Sequence, residues 1–149
     1  MKIYVGADHQ GFYLRNSLLS YLKRAGYEVE DEGDEQLDPN DDFPIFTQKV
    51  VSNILSSDDN DPRGILICSN GQGMCMAANR FKGIRAALGY NKGAVRSSRN
   101  DDNSNILCLP AKVLEKDEAN VLVELWLNTP FAGAPRFVRR LREIDEFET

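Results

Sequence analysis

The sequence predicts an α/β domain built on a parallel sheet. Three observations carry this. Strand-length apolar runs alternate with longer runs at helical spacing along the chain. About five such strands fit into 149 residues. The run Gly-Ile-Leu-Ile-Cys at 64–68 is apolar throughout, as a strand covered on both faces is.

The first strand is read at 2–6 (Lys-Ile-Tyr-Val-Gly). Residues 11–25 place Leu14, Leu18, Leu19 and Leu22 on one helical face, and Gly26 is a natural stop. A short strand begins at 27–29. Residues 31–42 are acidic, contain Gly33 and Pro39, and read as a loop. Residues 43–55 are helical, with Ile45, Phe46, Val50, Ile54 and Leu55 on one face, and 56–62 form a polar loop. The strand at 64–68 runs into the turn Ser69-Asn70-Gly71-Gln72-Gly73, and a helix at 74–79 follows. Strands are placed at 85–89 and 106–109. Helices are placed at 91–99, at 113–127 with Val121, Leu122, Leu125 and Trp126, and at 135–147 with Pro135 in the first turn. The whole chain, 1–149, reads as one domain. Its alternation matches a flavodoxin-like doubly wound five-stranded sheet, in which ligands bind beyond the carboxyl ends of strands one and three. That rule selects Ala7-Asp8-His9-Gln10 and Cys68-Ser69-Asn70-Gly71.

Composition excludes several classes. With 18 Lys+Arg against 23 Asp+Glu the net charge is −5, a poor basis for binding nucleic acid. The single His excludes a metal site made of several histidines. Three cysteines, at 68, 75 and 108, do not form a disulfide framework. No run approaches the roughly 20 apolar residues of a membrane span. A reducing, cytoplasmic setting is expected, with no membrane partner.

Asp8 and His9 face a ligand if the strand-end rule holds; otherwise Asp8 caps the first helix. Cys68 stands before a turn rich in backbone N–H groups, an arrangement that can host an oxyanion and depress a thiol pKa. Its alternative role is to fill the sheet. Gly71 and Gly73 match two positions of a dinucleotide fingerprint whose third glycine is missing, so a nucleotide site is not supported. Cys75 and Cys108 read as core residues. Arg136 and Arg140 lie four apart on one helix face, suited either to clamping a phosphate or to a solvated basic surface beside Glu143 and Asp145.

Taken together, GADHQGFYLR at 6–15, DDFP at 41–44, GILICSNGQGMCMAANRFKGIRAAL at 64–88, NSNIL at 103–107 and PFAGAPRFVRRLREI at 130–144 resemble the type B ribose-5-phosphate isomerases and the related subunits of galactose-6-phosphate isomerase. The resemblance implies a three-layer α/β/α sandwich and a homodimer with shared active sites, or a pair of such dimers. It also implies aldose–ketose isomerisation of a sugar phosphate through a cis-enediolate, with neither metal nor organic cofactor. Cys68 matches the family's base and Asp8 a residue on the sugar hydroxyls. His9, Lys112, Arg136 and Arg140 match the phosphate site. Phe43, Gly71, Gln72, Gly73, Asp102 and Asn103 match positions lining the substrate.

The chain also departs from that pattern. Asp101 stands where relatives carry a ring-opening His, and Asp102 where they carry the following Asn. Asn70 replaces a hydroxyl residue, Phe43 a Tyr, and Phe137 a His. A working isomerase is therefore weighed against a member that binds a sugar phosphate, or pairs with a paralogous subunit, without turnover. A phospho-acceptor receiver domain shares the topology but needs an acid where this chain has Cys68.

Overall fold

The computed structural model describes residues 1–147. Five parallel strands, β1 (Lys2–Ala7), β2 (Glu28–Asp31), β3 (Arg63–Cys68), β4 (Ala86–Leu88) and β5 (Ile106–Pro110), lie in the order β2-β1-β3-β5-β4. The helices are α1 (Phe12–Arg24), α2 (Phe43–Ser56), α3 (Gln72–Ala78), α4 (Lys92–Asn100), α5 (Lys116–Asn128) and α6 (Pro135–Asp145).

The sheet is covered on both faces, so apart from Lys2 its central strands are buried throughout, alternate residues facing opposite sides. Ile3, Val5 and Ala7 of β1, Ile65 and Ile67 of β3, and Leu107 and Leu109 of β5 face one way, against Leu18 and Leu22 of α1, Val95 of α4 and Val123 and Trp126 of α5. Tyr4, Leu66, Cys68, Ile106 and Cys108 face the other way, against Phe46, Val50 and Ile54 of α2 and Met74 and Ala78 of α3. Each fully buried aliphatic or aromatic chain contributes roughly 1.5–3 kcal/mol. Two helical layers around one sheet give the expected α/β/α sandwich.

Several expectations shift in detail. The outer strands exchange places relative to the flavodoxin order 2-1-3-4-5, since β5 lies between β3 and β4. The first helix does not begin at Gly11. Asp8 caps a 3₁₀ turn at His9–Gly11, and α1 continues from Phe12. The helix expected at 113–127 starts at Lys116, because Glu115 and Glu118 form a capping box there and Val113 and Leu114 close a turn on Pro110. The last helix ends at Asp145.

α6 differs from the other helices. None of its residues is buried, and Val138 and Ile144 are exposed. The segment before it is tied to the end of α4 by the Ala132 N–H donating to the Asn100 carbonyl at 3.0 Å. Among the described residues no helix is long and apolar enough to cross a membrane.

Candidate active site

β1 and β3 are neighbours, so the loops after them meet at the carboxyl edge of the sheet. Their approach is close. The Asp8 N–H donates to the Ile67 carbonyl at 3.3 Å, and a Cβ on Gly11 would sit 2.5 Å from that same oxygen. Any other residue at 11 would push the two loops apart.

Asp8 is buried and accepts from the backbone N–H groups of Gln10 at 3.0 Å and Gly11 at 3.2 Å. Both bonds end on Oδ1, which leaves Oδ2 for another partner. The capping and binding readings of Asp8 are thus compatible. Burial pushes its carboxyl above the usual range, partly offset by those two N–H groups.

Cys68 ends β3 with its side chain towards α2 and α3, 6% exposed. Burial raises its thiol pKa, against the pull of the Met74, Gly71 and Asn70 backbone N–H groups; the Asp8 charge pushes the same way as burial. The expected depressed thiol is thereby corrected. The turn does supply donors, but a dry strand end and an adjacent carboxylate outweigh them. Met74, just beyond the turn, also points its N–H at the sulfur.

The turn is shaped by Gly71, at φ +72°, where a Cβ would also strike Leu88 Cδ1 at 2.6 Å. The Phe43 ring, at the start of α2, lies against Gly73. Gln72 and Asn70 are exposed on the rim. β5 extends this edge. The Ala111 N–H donates to the Cys68 carbonyl and the Lys112 N–H to the Ser69 carbonyl, each at 2.9 Å, so Lys112 stands beside the turn.

His9 is held from a distant loop. Its Nδ1 donates to Asp41 Oδ1 at 2.7 Å, and its backbone N–H to the same oxygen at 2.9 Å. In the sequence Asp41 stands in an acidic loop and opens the DDFP motif, with no role of its own assigned. Nothing in a sequence couples two residues 32 positions apart, although a carboxylate-rich loop in a chain with one His is the signal that could have raised it.

The remaining candidates lie elsewhere. Asn103 precedes β5, and the Gly64 N–H at the start of β3 donates to the Asn105 carbonyl at 2.9 Å. That is the end of the sheet opposite Cys68, four residues or roughly 13 Å along β3. Asp101 ends α4 and accepts from Asn100 Nδ2 at 2.7 Å. Burial and the neighbouring Asp101 charge push the Asp102 carboxyl up, and Arg140 of α6 pulls it back down. Arg136 stacks on Phe137 at 4.3 Å, while Arg139 pairs with Glu143 at 3.7 Å.

Asn103 is structural within its own chain. It has φ +47°, its Oδ1 accepts from Arg99 Nη1 at 2.9 Å, and its carbonyl accepts from Arg85 Nε at 2.8 Å. Arg99, missed in the sequence, is buried among Thr129, Asn103 and Ser104 oxygens, and desolvation lowers its pKa to about 10.

Within one chain the candidate residues therefore fall into two groups at opposite ends of the sheet. Cys68, Asn70–Gly73, Asp8, His9, Phe43 and Lys112 lie at one end, and Asp101, Asp102, Arg136 and Arg140 at the other. No group of His, Cys, Asp and Glu among the described residues is arranged to hold a metal ion.

Comparison with known proteins matches residues 3–144 to the family model described as Ribose/Galactose Isomerase. A probable ribose-5-phosphate isomerase B of Mycoplasma genitalium is 36% identical over 98% of this chain and 95% of its own. The ribose 5-phosphate isomerase structure from Thermotoga maritima superposes with a TM-score of 0.92 at 42% identity, covering 98% of both chains. The Mycoplasma genitalium enzyme with bound ribulose-5-phosphate superposes with a TM-score of 0.86 at 36% identity, covering 97% of this chain and 93% of that one. With sheet, strand-end loops and sequence in agreement over nearly its full length, the chain belongs to the ribose/galactose isomerase family and is an isomerase.

Proposed function

We propose that this protein interconverts an aldose phosphate and a ketose phosphate of the ribose 5-phosphate class, with Cys68 as the base. The observation that carries the reading is the placement of Cys68 at the β1/β3 edge, with the backbone N–H groups of Asn70, Gly71 and Met74 around it and Asp8 beside it. The bound ribulose-5-phosphate in the Mycoplasma genitalium relative supports the substrate class.

In the forward direction the Cys68 thiolate takes the C2 proton of the open-chain aldose, and the electron pair moves into a C1–C2 enediolate. The oxygens of that enediolate accept from the turn's N–H groups, which are fixed by Gly71 before substrate arrives. The O2–H proton then passes to O1 across the cis-enediolate, and as C2=O forms Cys68 returns its proton to C1, giving the ketose. Asp8 Oδ2 accepts from a sugar hydroxyl. Asn70 donates a hydrogen bond but carries no acidic proton to shuttle. Each proton transfer at carbon is assigned to one thiol, so the scheme requires no cofactor.

The phosphate is held by His9 and Lys112 of one chain and by Arg136 and Arg140 of a second. In a homodimer, the Asp101–Asp102 end and the α6 arginines of one copy would complete the Cys68 end of the other. The unburied α6, which leaves Val138 and Ile144 to solvent, fits a helix that docks on a partner. Asp101, as the ring-opening group, acts from that partner.

Purified protein is mixed with a panel of four- to six-carbon aldose and ketose phosphates, and product is followed together with C2–H exchange in heavy water. Turnover of at least one sugar, lowered by roughly 10²–10⁴ in Cys68→Ala, is the expected result. No exchange on any of them, or wild type no faster than the variant, overturns the proposal.

A further inference from the structure

We propose that Asp41 is a positioning residue that holds His9 as an imidazolium with Nε2 presented to the phosphate of the substrate. This rests on the reading of His9 as a phosphate ligand and adds to it the group that gives His9 its charge and orientation.

The geometry is specific. A single oxygen, Asp41 Oδ1, takes both the His9 Nδ1 proton at 2.7 Å and the His9 backbone N–H at 2.9 Å. The ring is therefore fixed relative to its own main chain, and with Nδ1 occupied, Nε2 is the ring atom left to a ligand. The Asp41 side chain is 7% exposed, whereas that of His9 is 26% exposed. The carboxylate is thus sheltered while the imidazole keeps an open edge.

The loop that delivers Asp41 is itself anchored. Arg15 of α1 is buried beneath Gly33, donates through Nη2 to the Asp34 carbonyl, and lies 3.5 Å from Asp31. The Asp41 N–H donates to the Asp38 carbonyl at 3.2 Å.

The surrounding charges say why a cation is needed at His9. Asp8 precedes it on the same turn, Asp41 faces it from the loop, and Asp34 lies against Asp41. Lys49 of α2 is the cation whose field reaches Asp34. A phosphate entering this corner meets carboxylates, which repel it unless a positive group stands between. A free imidazole is largely neutral at neutral pH. The hydrogen bond to Asp41 raises the His9 pKa, with burial opposing and the Asp8 charge assisting. The resulting N⁺–H···O⁻ contact to phosphate is of the stronger, charge-assisted kind.

The single His makes the test direct, because the protein has one set of imidazole proton resonances. The free protein is titrated by proton NMR as wild type, Asp41→Asn and Asp41→Glu. The wild-type midpoint is expected above that of a free imidazole, Asp41→Asn below wild type, and Asp41→Glu close to wild type. Inorganic phosphate and ribose 5-phosphate are then added. Both are expected to shift the wild-type resonance, and Asp41→Asn to raise KM roughly tenfold with kcat little changed.

Equal midpoints in wild type and Asp41→Asn overturn the role of Asp41. A lowered midpoint with no response to either phosphate overturns the phosphate assignment of His9. Loss confined to kcat overturns the positioning role. The titration needs no turnover, so it decides the Asp41–His9 coupling even if none of the sugar panel reacts.

Discussion

Two opposing effects act on the Cys68 thiol. Burial and the Asp8 carboxylate disfavour the thiolate, and three backbone N–H groups favour it; burial wins. A base whose pKa is raised is mostly protonated at neutral pH, so its active form grows as pH rises. We expect kcat under saturating sugar phosphate to climb between about pH 6 and 9 without a plateau near neutrality. Alkylation of Cys68 by iodoacetamide should follow the same rise, which checks the thiol without substrate. A reactivity midpoint well below neutrality would contradict this balance of forces. Asp8 and Cys68 were both legible in the sequence because strand-end position is a local property. The sign of the Cys68 shift was not, because it depends on how dry the strand end is and on which loop carries the nearest charge.

At the level of elements, the turn between β3 and α3 holds the donors. Gly71 sits at φ +72° with Leu88 pressed against the space a Cβ would occupy. Gly71→Ala therefore strains the backbone and shifts Leu88, at an expected cost of about 1–3 kcal/mol. Its melting temperature should fall by a few degrees for each kcal/mol in a chain of this size. The N–H groups of Asn70 and Gly71 should lose alignment with the enediolate, so kcat falls more than KM rises. Calorimetry and steady-state kinetics on the same preparation separate the two effects, and an unchanged kcat would mean the turn does not supply the oxyanion donors. The strands and most helices were readable from apolar periodicity. The start of α5 was displaced because Val113 and Leu114 continue the apolar pattern while packing as a turn, and only the Glu115–Glu118 capping box marks where the helix begins.

The whole molecule decides whether the candidate residues form one site. Within a chain, β3 separates Cys68 from the Asp101–Asp102 end, and the Gly64–Asn105 hydrogen bond fixes that separation. If two copies complete each other, a Cys68→Ala chain and an Arg136→Ala/Arg140→Ala chain are each inactive alone. When the two are unfolded and refolded together, half of the random dimers contain one intact site of two. Roughly a quarter of wild-type activity should return. Absence of recovery, with mixed dimers demonstrated by mass, would place the arginines and Cys68 in one chain's site or outside any site.

What the sequence determined by itself are the local properties: which runs become strands, which turn is rich in N–H groups, where the one His stands, and the family to which these motifs belong. Each depends on residues a few positions apart, where periodicity, caps and glycines act. Only the tertiary structure decided the order of β4 and β5, the raised thiol of Cys68, the bond from Asp41 to His9, and the division of the candidate residues between two ends of the sheet. These depend on which distant segments are brought together and how much water is left between them. A chain 149 residues long does not display that in its order of letters.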